Sequence, residues 1–101
     1  MYLVREVFHA KPGKAKELVK IFKGMAKMMQ EHGVGNVKIM TDSVSTYWTV
    51  VMEAEVEDLH AYLEAGRNAS KEVHQENQHA ENMPDYKDLV TGGHREIFKI
   101  E

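Results

Sequence analysis

Six histidines in 101 residues are the first candidates for chemistry, because an imidazole titrates near neutral pH and also binds metals. His74 and His79 lie five residues apart in one polar segment. On a helix this spacing separates them by about 140°, whereas side chains that share a metal lie three or four residues apart. The sequence therefore predicts no metal site. It leaves His74 and His79 as candidate acid or base groups, with exposed histidines on a polar helix as the favoured interpretation.

Charged residues interrupt two strand-like apolar runs at Arg5, Glu6 and Glu53. A charge that faces a packed interior is costly unless it is paired or hydrogen bonded, so each of these residues should make an ion pair or serve a ligand. The favoured interpretation is a pair between Arg5 and a carboxylate at or near a subunit interface. If Glu53 instead lines a half-apolar pocket, it becomes a candidate general acid or base.

Two hydroxyl side chains, those of Tyr47 and Thr49, share the predicted strand face of Glu53. Together they could bind a small aromatic or carbonyl compound. A polar-lined dimer contact is the alternative, and it is somewhat favoured. Trp48 falls on the opposite face, in an apolar row, so we expect it to pack in the core.

The segment 67–82 is polar on nearly every side, with Val73 as its only large aliphatic residue. Asn68, Gln78 and the two histidines could meet a ligand at a pocket mouth, because amides and imidazoles orient small molecules through hydrogen bonds. A helix of this composition is also often simply exposed to solvent. Packing across a partner subunit is a third interpretation, and the sequence leaves the three open.

Composition narrows the class of protein. The net charge of −3, with both signs interspersed, gives no reason to expect nucleic acid or a membrane surface as a partner. The chain has no cysteine, so neither disulfides nor thiolate chemistry contribute. No apolar run approaches the ~20 residues of a membrane span, and the first residues do not resemble a signal peptide. We expect one domain over residues 1–101 and a cytoplasmic location.

The best-marked element is a helix from Lys14 to about His32, with Gly33 as its stop. It follows a predicted strand over residues 1–9, which ends at a Pro-Gly turn. One apolar stripe at three- and four-residue spacing marks the helix: Ala15, Leu18, Val19, Phe22, Met25, Ala26 and Met29.

A hairpin is predicted next, with strands over residues 36–41 and 45–55 joined by a short polar turn. The second strand is substantially apolar on both faces, and such a strand needs cover on both sides. This pattern predicts a partner subunit on the face that the chain itself leaves bare.

The remaining residues predict a short helix at 57–63 that ends near Gly66, a separate helix at about 69–80, and a last strand at 94–100 after a Gly-Gly pair. The order β-α-β-β-α-β predicts an α+β, ferredoxin-like fold, in which both helices cover one face of a four-stranded antiparallel sheet. The uncovered face predicts a twofold homodimer.

Three segments, 11–18, 48–55 and 92–98, resemble the dimeric α/β-barrel superfamily. This superfamily includes the antibiotic-biosynthesis-monooxygenase-like, heme-degrading-monooxygenase-like and NIPSNAP-like families. The resemblance implies that two sheets meet face to face in a dimer, and that each subunit keeps a pocket between its sheet and its helices. It implies no single activity, because the superfamily ranges from cofactor-free oxygenation and heme degradation to chlorite chemistry and isomerisation.

Heme-degrading relatives use an Asn on the first strand, a Trp on the second helix and a heme-ligating His farther along. The matching positions here hold Glu6 and Tyr62, and His74 lies about two residues too far from Tyr62. The resemblance therefore disfavours heme, and we expect no cofactor.

Two functions follow as expectations. The first is a small-molecule-binding or interaction module without established catalysis. The alternative is a cofactor-independent monooxygenase, or a related small enzyme, that acts on a small aromatic or carbonyl compound and uses Glu53, His74 or His79.

Overall fold

A computed structural model describes residues 1–79 and 86–101, except for the side chains of residue 70 and residues 72–79. The elements are β1 (Tyr2–Ala10), α1 (Ala15–Glu31), β2 (Lys38–Thr41), β3 (Thr49–Val56), α2 (Leu59–His79), a 3₁₀ turn (Tyr86–Asp88) and β4 (Val90–Lys99). The four strands form one antiparallel sheet in the order β2-β3-β1-β4. The predicted α+β, ferredoxin-like order is confirmed, with β1 and β3 as the central pair.

Helix α1 forms where the apolar stripe predicts it. Its buried side turns Leu18, Phe22 and Met29 toward the sheet and α2, and all three side chains are almost completely buried. Gly33 follows the helix at a φ of 90°, a left-handed conformation that glycine adopts without strain. Its N–H donates to the carbonyl of Gln30, which completes the helix end.

The core lies between the helices and one face of the sheet. Successive side chains alternate across a strand, so the even-numbered residues of β1 and β3, including Val4 and Val50, point toward α1 and α2. Both valines are fully buried. Glu6 belongs to the same row of β1, and it is the one buried charged residue in the described part of the chain.

The connection between β2 and β3 is longer than predicted. It is closed by Asp42 and Thr49: Asp42 Oδ1 accepts a 2.9 Å hydrogen bond from the Thr49 N–H, and Thr49 O accepts from the Asp42 N–H. Strand β3 therefore begins at Thr49, and Tyr47 and Trp48 lie in the loop. The prediction that Trp48 packs in the core is wrong, because it sits at a φ of 64° with 43% of its surface exposed.

Helix α2 is one continuous helix where the sequence predicts two. It begins after Asp58, whose carboxylate accepts a hydrogen bond from the Ala61 N–H. Gly66 does not end it, and a Cβ added at this glycine would lie 4.0 Å from Met29 Cε, an ordinary van der Waals contact. No helix in the described residues is long and apolar enough to cross a bilayer.

Strand β4 begins at Val90, four residues earlier than predicted, and the Gly-Gly pair lies inside it. Gly93 pairs with Phe8, and a Cβ at Gly93 would lie 2.6 Å from the Val7 carbonyl oxygen. Only glycine fits this approach without a shift. Gly93, whose pair with Gly92 resembled a turn, is therefore a requirement of strand pairing.

Candidate ligand cavity

A cavity of about 330 Å³ lies between the helix-facing side of the sheet and the two helices. Most of its lining is apolar: Phe8, Phe22, Met25, Met29, Met52 and Leu63. Five of its lining side chains carry polar atoms: Glu6, Tyr62, Arg67, Tyr86 and Arg95. A mostly apolar cavity with a few polar groups is the usual composition of a small-molecule site.

Glu6 and Arg95 form the polar centre of this cavity. They are partners in the β1–β4 register, and Arg95 Nε donates a 2.6 Å hydrogen bond to Glu6 Oε1. Glu6 is only 8% exposed, whereas half of the Arg95 side chain is open to solvent. The guanidinium offsets part of the cost of burying the carboxylate.

Tyr62 extends from α2 into the same space. It is 3% exposed, and burial, followed by the negative charge of Glu6, raises the pKa of its phenol to about 12. The positive charge of Arg95 opposes this shift. At neutral pH the phenol is therefore uncharged and can donate a hydrogen bond. In the described part of the chain no residue forms a hydrogen bond with its hydroxyl.

The predicted site residue Glu53 lies on the other face of the sheet. Its carboxylate is 3.5 Å from Arg5 Nε, and Arg5 also donates a 3.1 Å hydrogen bond to Glu96. His94 Nε2 lies 3.2 Å from the second oxygen of Glu96. The hydrogen bonds from His94 and then Arg5 hold the pKa of Glu96 below its ordinary value. The predicted Arg5–carboxylate pair is thus present, and it extends across three strands as Glu53, Arg5 and Glu96, hereafter the charged row.

The other described candidates are not brought together with Glu53. Tyr47 is 85% exposed, in the loop before β3, and Asn68 is exposed on α2. Thr49 is buried, where its hydroxyl donates to the Thr46 carbonyl. Tyr47 and Glu53 border two different surface depressions. The structure therefore places none of these four in the cavity.

Three further candidates, His74, Gln78 and His79, belong to the last turns of α2. Their side chains lie outside the described residues, so their proposed contact with a ligand stays a prediction. Among the residues that are described, no three histidine, aspartate or glutamate side chains form a group that could hold a metal ion.

Sequence reasoning recognised Glu6 as an interruption but did not choose it as a site residue, and it missed Arg95 altogether. The available signal was the alternation of β1, where Glu6 shares its face with Val4, Phe8 and Ala10. Arg95 carried no comparable signal, because its role depends on pairing with a residue 89 positions away.

No protein-family model and no curated protein matches this sequence. Solved structures do match it over nearly its whole length. A NIPSNAP family protein from Agrobacterium tumefaciens strain C58 is 18% identical, with a TM-score of 0.68 over 98% of this chain and 92% of that one. The chain shares the fold of this protein. An uncharacterised NIPSNAP-like protein from Burkholderia xenovorans is 13% identical, with a TM-score of 0.70 over 99% and 84%.

The same fold occurs in a proposed antibiotic biosynthesis monooxygenase from Nitrosomonas europaea. It is 9% identical, with a TM-score of 0.74 over 98% of this chain and 97% of that one. The resemblance to NIPSNAP-like and monooxygenase-like proteins is therefore confirmed in the fold. At such low identity the shared fold does not by itself decide an activity.

Proposed function

We propose that this protein binds a small, largely apolar molecule in the cavity between its sheet and its helices, and that it does so as a homodimer. One observation carries the binding proposal: a buried carboxylate, Glu6, borders a largely apolar cavity together with the hydroxyl of Tyr62, which has no hydrogen-bond partner among the described residues. A buried ion pair is weak evidence for stability, since apolar residues of similar volume often serve as well. Polar groups in this position are better explained by a ligand.

The size of the cavity supports the same proposal. At about 330 Å³ it lies at the small end of the ~300–1,000 Å³ range of ligand pockets, which suits a small ring compound. Three aromatic rings stand at one side of it, with Phe8 4.9 Å from Phe22 and 6.1 Å from Tyr86 between ring centroids. Such rings offer edges and faces to an aromatic guest.

The partner that we propose is a second copy of this chain, seated on the open face of the sheet. Apolar pairs flank the charged row: Val7 with Val51 on one side, and Leu3 with Phe98 on the other. Phe98 is 49% exposed in the single chain. A twofold contact would bury these apolar residues and use one self-complementary surface.

The binding proposal can be tested through the methionine methyl groups. Met25, Met29 and Met52 line the cavity, whereas Met40 lies on β2, away from it. Titration with one-ring aromatic compounds should shift the ¹³C-methyl NMR signals of the first three and leave Met40 unchanged.

Gly66 supplies a matched pair of variants, because it lines the cavity and a larger residue there favours the helix. Gly66→Leu should fill the cavity and abolish the shifts, while Gly66→Ala should keep them. If ring compounds bind Gly66→Leu as tightly as they bind the unaltered protein, then they do not bind in this cavity and the proposal is wrong.

The second candidate function is cofactor-independent oxygenation, and the same carboxylate favours it. Glu6 could take a proton from an acidic C–H of a bound aromatic ketone, and Tyr62 could donate a hydrogen bond to the resulting enolate. The carbanion would add O₂ and a proton to give a hydroperoxide. Loss of water from that CH–OOH group leaves a new carbonyl, so O₂ supplies one oxygen atom to the product and one to water.

This reaction predicts oxygen uptake that depends on Glu6. With an aromatic ketone that has an acidic methylene group, Glu6→Gln should lower the rate about 100-fold or more, since general bases contribute about 10²–10⁴-fold. Glu53→Gln, on the other sheet face, is the control. Product that carries no label from ¹⁸O₂ would exclude this candidate and leave the binding proposal standing.

A further inference from the structure

The loop between β2 and β3 holds three large apolar side chains at the surface. Val44 is 97% exposed, and Tyr47 and Trp48 are exposed as well. The two hydrogen bonds between Asp42 and Thr49 close the base of the loop, so the three side chains share a fixed support. Single exposed apolar residues are common, but a group of three on one loop indicates contact with a partner. We call these three side chains the apolar tip.

Helix α1 carries a stripe of positive charge near this loop. Four exposed lysines recur at three- and four-residue spacing on its outer side: Lys16, Lys20, Lys23 and Lys27. This spacing keeps them within about 60° of one another around the helix, opposite its buried side. In the part of the chain that the structure describes, none of the four makes an ion pair or a side-chain hydrogen bond. The lysine stripe is therefore free to meet negative charge from outside the molecule.

A surface depression joins the lysine stripe to the apolar tip. Lys16 and Val19 line it from α1, and Tyr47 and Trp48 line it from the loop. The depression shares no lining residue with the ligand cavity. One continuous surface therefore combines apolar rings with positive charge, apart from the proposed binding site.

Nearby acidic residues do not cancel this charge. Glu17 lies about 90° from the lysine stripe around the helix, and it pairs with Lys14 at 3.5 Å. Glu31 lies in the last turn, about 20 Å along the axis from Lys16. Asp42 also lines the depression, and its carboxylate accepts a backbone hydrogen bond there. The net charge of −3 for the whole chain therefore conceals a local positive surface.

We propose that the lysine stripe and the apolar tip together dock this protein on the surface of an anionic lipid bilayer. Four basic residues on an amphipathic helix attract anionic headgroups. Tyrosine and tryptophan rings are favoured at headgroup level, where Tyr47 and Trp48 would lie, and Val44 would enter the acyl boundary. An acidic protein could also pair with the lysines, but it would need a pocket for the protruding Val44. A fluid bilayer accepts such a residue at any point.

Trp48 is the only tryptophan of the chain, so its fluorescence reports the docking directly. Vesicles of phosphatidylcholine and phosphatidylserine in equal parts should shift its emission to shorter wavelength, and brominated acyl chains should quench it. Vesicles of phosphatidylcholine alone should cause no shift, and high salt should release the protein from the anionic vesicles. An unchanged emission with the anionic vesicles would overturn the proposal. Polyglutamate that displaces the protein from these vesicles at equal charge would identify an acidic protein as the partner, and would also overturn it.

Charge reversal on the lysine stripe tests the electrostatic part. Lys20→Glu combined with Lys23→Glu should weaken binding to the anionic vesicles about 30-fold or more, since each lysine near an anionic surface contributes about fivefold. Lys87→Glu combined with Lys99→Glu makes the same charge change at exposed positions on the 3₁₀ turn and β4, so its binding should stay nearly unchanged. Equal losses in the two double variants would assign the effect to net charge and overturn the proposal.

A second double variant tests the apolar tip and keeps every charge. Val44→Ser combined with Tyr47→Ser changes only exposed side chains, so it should fold even if the lysine variant does not. It should weaken binding about tenfold or more and reduce the quenching of Trp48 by brominated chains, because less apolar surface enters the bilayer. Unchanged affinity would mean that the lysines alone carry the binding, which contradicts docking through this surface.

Discussion

Glu6 and Arg95 face each other across the β1–β4 pair, and their side chains meet 2.6 Å apart on the helix side of the sheet. Their chain neighbours Arg5 and Glu96 also face each other, and they pair at 3.1 Å on the open side. The two strands therefore carry one Arg–Glu pair on each face. Because only the inner pair includes a buried carboxylate, we expect the two pairs to differ in their effects.

Removal of Arg95 should cost more stability than removal of Glu6. Arg95→Met leaves a buried carboxylate without its partner, which should lower the free energy of unfolding by about 3 kcal/mol. Glu6→Leu leaves a half-exposed arginine that water can reach, and it adds apolar surface to the cavity wall, so its cost should be below about 1 kcal/mol. Urea unfolding of both variants measures the difference. Equal losses would mean that Glu6 is better hydrated than its burial implies.

Tyr62 should make the protein lose stability in alkali. Its pKa is raised from 10.0 to about 12 in the folded state, so the folded protein holds this proton where the unfolded chain releases it. The stability contributed by the protonated phenol is fully present below pH 10 and is lost as the pH rises toward 12. The free energy of unfolding should fall by roughly 2–3 kcal/mol in all. Between pH 10 and 12 the free energy of unfolding should fall more steeply with pH for the unaltered protein than for Tyr62→Phe. Parallel curves would contradict the shift.

Glu96 should titrate below an ordinary glutamate. The hydrogen bond from His94 is the larger cause of its lowered pKa, and that from Arg5 is the second. The stability that this depressed pKa contributes is present above the unfolded value and is lost as the pH falls through the folded one. Carboxyl NMR titration should show the pKa of Glu96 rising toward its ordinary value in His94→Ala. A rise only in Arg5→Met would reverse the order of the two causes.

Arg5 should control the proposed dimer. Arg5→Glu places three carboxylates side by side in the charged row, on the surface that a second copy would bury. Their repulsion should convert the dimer to a monomer at micromolar concentration, as measured by sedimentation. Lys23→Glu, an exposed change on α1, makes the same charge reversal elsewhere and should leave the dimer intact. Dissociation of both variants would point to net charge as the cause.

Gly93 should tolerate no side chain. Gly93→Ala would set a Cβ 2.6 Å from the Val7 carbonyl oxygen and should destabilise the fold by about 2 kcal/mol. Gly92→Ala is the matched control, since an added Cβ there meets nothing within 4 Å. Thermal unfolding of the two variants should separate them clearly. Similar melting temperatures would mean that β4 shifts to accommodate the methyl group.

The sequence predicts those elements in which a regular spacing of apolar residues continues over many consecutive positions. Helix α1 and the order of elements follow from such periods, and the structure agrees. It does not predict the closed loop that ends at Thr49, because one Asp42 side chain sets that boundary. Nor does it predict that α2 continues through Gly66 or that Gly93 lies within β4, since local rules treat a glycine as a stop; at Gly93 the close approach of the Val7 carbonyl oxygen requires a glycine.

The candidate site follows the same division. Glu6 is visible in the sequence because a charge in an apolar row is a local signal. Its pairing with Arg95 and its proximity to Tyr62 depend on strand register and helix packing, which a single sequence does not reveal. In the structure, Glu6 in the cavity therefore replaces Glu53 on the open face as the candidate site residue.

The opposed order of charges, Arg5-Glu6 on one strand and Arg95-Glu96 on the other, also bears on how the chain finds its alignment during folding. A slip of one residue between β1 and β4 would set either Arg5 against Arg95 or Glu6 against Glu96. Each misaligned state then brings like charges together and turns apolar side chains to the wrong face. The four residues that separately serve the cavity and the open face therefore also favour the native alignment of β1 and β4 over a slip of one residue in either direction.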